Sequence, residues 1–230
     1  MISERKKNLL AIIIKEHLQT AAPVSSGVLV EKYKLSFSPA TVRNEMMELE
    51  EEGFIYQPHT SAGRVPTEEA YRLFLEELLN LEETKSLKEV EKQALEALFS
   101  HEESDYKKTA KAIAELSKSA VFWAFHKNNL YYTGLSNLFS QPEFKQLDAV
   151  CDFSTVIDRL EEIIEEMFEG LPEGKQFLIG KENPFGNFLS ASLLKYKDNK
   201  KLGVFGIISP MRTDYEKNLA LLEFIKNKFN

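Results

Sequence analysis

Apolar residues in the N-terminal third of the chain recur every three or four positions, which is the spacing of one helix face. This pattern predicts a helix over residues 3–19 and a second, shorter helix over residues 26–34. A third predicted helix has the clearest start, because Ser38 can cap its free backbone N–H groups and Pro39 suits its first position. It runs to residue 52 and ends at Gly53, a residue type common at helix C-termini.

The third predicted helix has one apolar and one polar face. At about 100° per residue, Val42, Met46 and Leu49 share a face that must pack inward. The opposite face and its flanks carry small and hydrogen-bonding residues near the helix N-terminus: Ala40, Thr41, Arg43 and Asn44. Such a surface can enter a DNA major groove, where Asn pairs with adenine and Arg with guanine or phosphate. Taken alone, this segment is equally compatible with the third helix of a small helical bundle whose polar face is exposed to solvent.

A hairpin follows and favours the DNA-binding alternative. Two short strands are predicted over residues 54–57 and 64–66, and a Gly-containing connection joins them. A further helix then begins at Thr67 and continues through residue 79. Three helices and a hairpin are the element order of a winged helix-turn-helix. The hairpin carries side chains suited to phosphate contact: His59, Thr60, Ser61 and Arg64. Ser38 would in addition hold backbone N–H groups near a phosphate.

The rest of the chain begins with helical spacing and changes at residue 119 to short strands and helices. Residues 85–119 predict amphipathic helices that contain Leu95, for which two roles remain open: a helical connector packed on the following domain, or a dimerisation helix. Five strands and two helices are then predicted: strands over 121–125, 130–133, 175–179, 190–196 and 202–208, helices over 156–168 and 214–229. We therefore expect an α+β fold in which helices flank an antiparallel sheet.

The charge of the chain argues mildly against a nucleic-acid partner. The net charge is −7, and residues 1–80 carry nine Lys and Arg against twelve Asp and Glu. DNA affinity would have to arise from the placement of charge. The acidic residues cluster at Glu48 and residues 50–52, and we expect Arg43, Arg64 and the basic group at residues 5–7 to lie apart from them.

Several classes of protein are disfavoured by the sequence. No apolar run is long enough to cross a bilayer and no secretory signal is recognisable, so we expect a cytoplasmic protein without a membrane partner. The lone Cys151 fits a reducing compartment and predicts a small buried residue. The four His residues fall in different segments, and no catalytic residue set is evident, so we expect no metal site, no cofactor and no enzyme activity. Arg212 and Asp214 fit a structural ion pair with a helix cap better than a ligand site.

The two segments at residues 38–46 and 57–67 resemble the heat-inducible transcription repressor family HrcA over the predicted recognition helix and wing. Shorter matches follow at residues 141–144, 179–183 and 210–215. The resemblance implies a winged helix that binds an inverted-repeat operator in double-stranded DNA upstream of chaperone genes. It also implies a GAF-like second domain, a homodimer, and the chaperonin GroEL as a partner that supports the active repressor.

The chain departs from the family pattern in two ways. Gly27 stands where the family usually has Arg, which removes a backbone contact or a structural pair. Family members also carry an inserted dimerisation domain in the GAF-like half, whereas here residues 120–125 pass almost directly to residues 130–134. The dimer expected on a palindromic operator must then form through another surface, or form only on DNA.

Taken together, the sequence predicts a winged helix DNA-binding domain over residues 1–82, a helical connector over 83–118 and a GAF-like sensor and dimerisation domain over 119–230. The predicted function is repression of heat-shock genes with release under folding stress. Two alternatives stay open: a repressor regulated by a small ligand, and a winged helix that binds protein. Ligand-dependent melting would favour the former, and absence of salt-dependent DNA binding the latter.

Overall fold

The computed structural model describes residues 2–80, 86–100, 103–126, 129–145, 147–198 and 201–229. The chain divides into two compact units, an N-terminal unit over Met1–Leu81 and a C-terminal unit over Glu82–Asn230. Across the described segments, none of the helices combines the length and the apolar character that crossing a lipid bilayer requires.

The N-terminal unit has the predicted element order of a winged helix. Its elements are α1 (Glu4–Thr20), α2 (Ser26–Tyr33), α3 (Pro39–Glu51), β1 (Ile55–Tyr56), β2 (Val65–Pro66) and α4 (Glu68–Asn80). β1 and β2 pair antiparallel, with Ile55 opposite Pro66. Val42, Met46 and Leu49 are buried, so the predicted inward face of α3 is confirmed.

The wing formed by β1, β2 and their connection is tied to the segment before α2. Val24 and Arg64 exchange two backbone N–H···O hydrogen bonds of 2.8 Å each. This antiparallel bridge adds to the two residue pairs that join β1 and β2. This close approach is possible because residue 63 is glycine: a Cβ there would collide with the backbone carbonyl of Val24. The wing is therefore fixed to the body of the unit at its base.

The C-terminal unit contains a five-stranded antiparallel sheet in the order β4-β3-β7-β6-β5. The strands are β3 (Ala120–His126), β4 (Asn129–Thr133), β5 (Gly174–Ile179), β6 (Leu189–Asp198) and β7 (Lys201–Pro210). The helices are α5 (Glu89–Leu98), α6 (Glu103–Ser117), α7 (Leu135–Phe139), α8 (Leu147–Asp158), α9 (Leu160–Gly170) and α10 (Tyr215–Lys226). The predicted α+β class with an antiparallel sheet is confirmed. The single helix predicted over 156–168 is wrong, because the chain breaks at Arg159 and forms two helices.

Helices cover both faces of this sheet. On one face, α7, α8 and α9 enclose the α9-side core, which includes Phe122, Phe153, Ile164 and Leu193. On the other face, α5, α6 and α10 enclose the α10-side core, which includes Leu95, Trp123, Phe205 and Leu221. Within the α10-side core the indole Nε1 of Trp123 donates a 2.7 Å hydrogen bond to the hydroxyl of Tyr196.

The burial of Leu95 bears on the two roles that the sequence left open for α5 and α6, the helices that precede the sheet. Leu95 is 0% exposed and lies inside the α10-side core of its own unit. Leu95 is therefore used within the chain, which favours helices packed on the following domain over a dimerisation helix. Helices packed on the sheet domain are what the structure contains.

Two smaller expectations also need correction. Cys151 is exposed on α8 and is not a buried core residue. Arg212 pairs with Glu143 (Nε to Oε1, 2.8 Å) and not with Asp214. The predicted helix cap is confirmed, because Oδ1 of Asp214 at the start of α10 accepts a 2.9 Å hydrogen bond from the backbone N–H of Lys217. Arg212 thereby joins two of the family-like stretches, residues 141–144 and 210–215.

Candidate nucleic-acid interface

The N-terminal half of α3 presents the polar face that the sequence predicted. Ser38 caps the helix, since its Oγ accepts a hydrogen bond of 3.1 Å from the backbone N–H of Thr41. The hydroxyls of Ser38 and Thr41 lie 2.9 Å apart. All five predicted residues of this region are exposed: Ser38, Ala40, Thr41, Arg43 and Asn44.

The wing tip is shaped by a residue that sequence reasoning missed. His59, Thr60 and Ser61 are exposed, as predicted for the tip. Gln57 holds the tip closed, because its Nε2 donates to the carbonyl oxygens of Thr60 (3.0 Å) and Ala62 (2.8 Å). An amide side chain at the start of a Pro-containing loop was the available signal for this role.

Arg64 lies at the base of the wing and not at its tip. Its side chain is 15% exposed, and its Nε lies 2.8 Å from Oε2 of Glu50 on α3. Glu50 also accepts a 2.9 Å hydrogen bond from the backbone N–H of Gln57. One carboxylate of α3 therefore fixes the direction of Arg64 and the start of the wing.

A groove of about 380 Å³ lies between α3, the wing and the start of α2. It brings Arg43 of α3 together with the predicted wing residues Thr60, Ser61 and Arg64. The other predicted residues do not line it: Ser38, Ala40, Thr41, Asn44 and His59. Its other polar residues, Ser25, Ser26 and Gln57, were not predicted. Ser25 caps α2 by accepting from the backbone N–H of Val28, so the groove includes a helix N-terminus, which favours an anion.

Several acidic residues of α3 are paired with cations of the same unit. Arg5 pairs with Glu45, and the Lys6 ammonium lies 2.9 Å from Glu48 and 2.5 Å from Glu52. Hydrogen bonds to these two carboxylates raise the pKa of Lys6 above its usual value. The expectation that the basic group at residues 5–7 and Arg64 lie apart from this cluster is wrong for Lys6 and for Arg64, which pairs with Glu50. The negative charge of the C-terminal half of α3 is thereby partly offset, and the N-terminal half carries Arg43.

The described side chains include no cluster of three or more His, Cys, Asp or Glu residues placed to hold a metal ion. Polar and cationic groups on a helix, a wing and a helix N-terminus around one groove suit the backbone of a nucleic acid. A winged helix of this kind, followed by a separate α+β unit, is the architecture of a DNA-binding transcription regulator.

The chain belongs to the HrcA family, since the family profile described as "HrcA protein C terminal domain" matches residues 37–219. That range includes α3, the wing and most of the C-terminal unit. A heat-inducible transcription repressor HrcA from Carboxydothermus hydrogenoformans is 25% identical over 98% of this chain and 96% of its own length. A protein of the same name from Acidothermus cellulolyticus is 50% identical over 96 residues, which are 42% of this chain and 27% of that protein.

The alignment to the Carboxydothermus protein extends over 332 positions, more than the 230 residues of this chain. That relative therefore carries residues without a counterpart here, in agreement with a short member of the family. A crystal structure titled as a hypothetical protein at 2.2 Å resolution superimposes on all of this chain and on 98% of its own, with a TM-score of 0.82 and 21% identity. It supports the fold.

Proposed function

We propose that this chain is a transcription repressor of heat-shock genes that binds an inverted-repeat DNA operator through α3 and the wing. The observation that carries the proposal is the groove that joins Arg43 to Thr60, Ser61 and Arg64 in a chain of the HrcA family. A DNA backbone that follows this groove would meet hydroxyl, amide and guanidinium donors from three elements.

Each element of the interface has its own role in the proposal. The exposed face of α3 enters the major groove, where Asn44 and Thr41 contact base edges and Ala40 permits close approach. Arg43 contacts a guanine edge or the adjacent phosphate, and the N-terminus of α3 at Ser38 faces a phosphate. The wing holds the DNA backbone through its exposed polar residues, His59, Thr60 and Ser61. Arg64, oriented by Glu50, completes the contact at the wing base.

The remaining parts of the chain regulate this binding in the proposal. Residues 1–82 bind DNA, the helices of 83–118 connect, and residues 119–230 sense folding stress and hold two copies together on the two half-sites. Heat shifts the C-terminal unit out of its competent form, and operator affinity falls with the competent fraction. The chaperonin GroEL acts by raising that fraction.

The experiment that tests operator recognition is fluorescence anisotropy with three labelled duplexes: an inverted repeat of the family type, one half-site and a scrambled sequence. Each is titrated at several salt concentrations. Specific sites usually bind at least about 10³-fold more tightly than non-specific DNA at physiological salt, so we expect that margin for the full repeat over the scrambled duplex. Equal, weak binding of all three duplexes contradicts the proposal and favours a winged helix that binds protein.

The heat response has a separate test. Operator affinity is measured from 25 °C to the unfolding midpoint, with and without chaperonin. We expect affinity to fall before the chain unfolds and the chaperonin to restore it. A constant affinity up to unfolding, with no effect of chaperonin, would show that the regulatory part of the proposal is wrong.

A further inference from the structure

Strand β4 forms one edge of the sheet in the C-terminal unit. It pairs with β3 on one side, and the strand order places no other described strand beyond it. An edge strand offers a row of backbone N–H and C=O groups to any further strand, and natural proteins usually protect such edges with Lys, Pro or a covering element.

The two edges of this sheet differ in that protection. β5, at the opposite edge, carries Lys175, whose ammonium lies 2.7 Å from Glu223, and begins at Gly174 with φ of 104°. β4 reads Asn-Leu-Tyr-Tyr-Thr over Asn129–Thr133 and contains neither a charged residue nor proline. Of the two edge strands, β4 is therefore the one whose sequence does not oppose pairing with a further strand.

The side chains of β4 add an apolar contribution at the same edge. Residues paired across two strands project to the same face, so Tyr132, opposite Phe122, lies on the face of the α9-side core. Tyr132 is nevertheless 46% exposed. Tyr131, opposite Trp123, packs partly against the α10-side core on the other face. The helices thus cover Tyr131 better than Tyr132, whose ring extends the apolar surface to the sheet edge.

We propose that β4 pairs antiparallel with β4 of a second copy of this chain, so that one sheet continues across a dimer. Antiparallel self-pairing is compatible with a twofold axis, because each strand then supplies the same surface. The side chains of β4 are themselves neutral and so bring no like charges to that axis, and the two exposed Tyr132 rings can cover each other there. This inference rests on the proposed function in one respect, since an inverted repeat requires two copies.

The test uses the full chain in sedimentation equilibrium, with backbone hydrogen exchange at low and high protein concentration. We expect a reversible dimer and a concentration-dependent protection of amides in Asn129–Thr133. Tyr132→Lys places two like charges at the axis, so we expect the dimer dissociation constant to rise at least about tenfold. The matched control is Val90→Lys, at a residue 77% exposed on α5, with no change in dimer affinity expected.

Three results would overturn the inference: a monomer at all concentrations, a dimer whose β4 amides exchange at the monomer rate, or equal weakening by both substitutions. If Tyr132→Lys fails to fold, the hydrogen-exchange measurement on the unmodified chain still tests whether β4 is paired in the dimer. Failure of the proposed function is separable, because a chain that dimerises through β4 but binds the scrambled duplex as well as the full repeat loses the repressor function alone.

Discussion

Replacing Gly63 by alanine adds one methyl group where the wing crosses the segment before α2. The new Cβ would overlap the carbonyl group of Val24, which is backbone and has no alternative rotamer. Either the wing or the Val24 segment must move, and the movement breaks the pair of 2.8 Å hydrogen bonds between Val24 and Arg64. The base of the wing is thus a position at which a single added methyl group has a large structural effect.

The size of the effect follows from two terms. Forcing an extra methyl group into a packed site costs about 1–3 kcal/mol, and each lost hydrogen bond costs about 1 kcal/mol. Because relief of the clash consists of breaking those bonds, the terms overlap, and we expect a loss of about 2–4 kcal/mol in the free energy of unfolding. Gly27 is the matched control: it lies within α2, and a Cβ there meets nothing within 4 Å. Gly27→Ala should stabilise the chain by about 0.5–1 kcal/mol, the usual gain in a helix.

The assay is urea unfolding of both variants, with backbone hydrogen exchange at Val24 and Arg64. We expect Gly63→Ala to unfold at lower urea and to lose protection at both amides, and Gly27→Ala to shift the opposite way. Unchanged stability and unchanged protection in Gly63→Ala would refute the account of how the wing is anchored. Operator affinity should fall for Gly63→Ala in proportion to the loss of an ordered wing.

Three further predictions concern single contacts. The carboxyl of Glu16 has a pKa lowered from its usual 4.5, chiefly by the Lys32 ammonium at 2.6 Å. The stability that this pair contributes to the fold is therefore present at neutral pH and is lost as the pH falls through the lowered pKa. Glu16→Gln should be less stable than the unmodified chain at pH 7, with a difference that narrows under acid, and a pH-independent difference would count against this pair. Leu95→Ala should cost about 2–5 kcal/mol in urea unfolding because Leu95 is fully buried, whereas a cost under about 1 kcal/mol would mean that the stripe of α5 does not pack on the sheet. The side chain of Arg212 is 12% exposed and paired with Glu143. A double-mutant cycle with Arg212→Ala and Glu143→Ala should therefore give a coupling free energy of about 1–3 kcal/mol. Additive effects of the two substitutions would show that this ion pair does not stabilise the fold.

Local chemistry made α3 the most predictable element of the chain. Ser38 and Pro39 specify its start through capping and a fixed φ, and Val42, Met46 and Leu49 specify its inward face through their spacing. These signals lie within twelve consecutive residues and do not depend on tertiary contacts. The strands of the antiparallel sheet were predictable for the same reason, because they are short apolar runs separated by polar turns.

Contacts between distant segments were not predictable in this way. The bridge from Val24 to Arg64 and the pairing of Arg5 and Lys6 with acids of α3 join residues far apart in sequence. Such pairs produce no periodic pattern in the sequence, since a charged residue on a helix surface fits the same pattern with or without an ion-pair partner. The positions of Lys6 and Arg64 along the chain therefore did not reveal that both lie beside acidic residues of α3.

Helix breaks without glycine or proline are a second source of error. The break at Arg159 between α8 and α9 lies within a run of helix-compatible residues, so the pattern over 156–168 predicted one continuous helix. Tertiary packing decides the matter here, because α8 and α9 both contribute residues to the α9-side core.

The most direct test of the central claim is the effect of Asn44→Ala on the ratio of full-repeat to scrambled-duplex affinity. A residue that reads a base contributes about 1–3 kcal/mol of discrimination, so we expect the ratio to fall by about tenfold or more while salt-dependent non-specific binding persists. Leu79→Ala, at an exposed residue of α4, is the control and should leave the ratio unchanged. An unchanged ratio in Asn44→Ala would contradict the assignment of α3 as the helix that reads the operator.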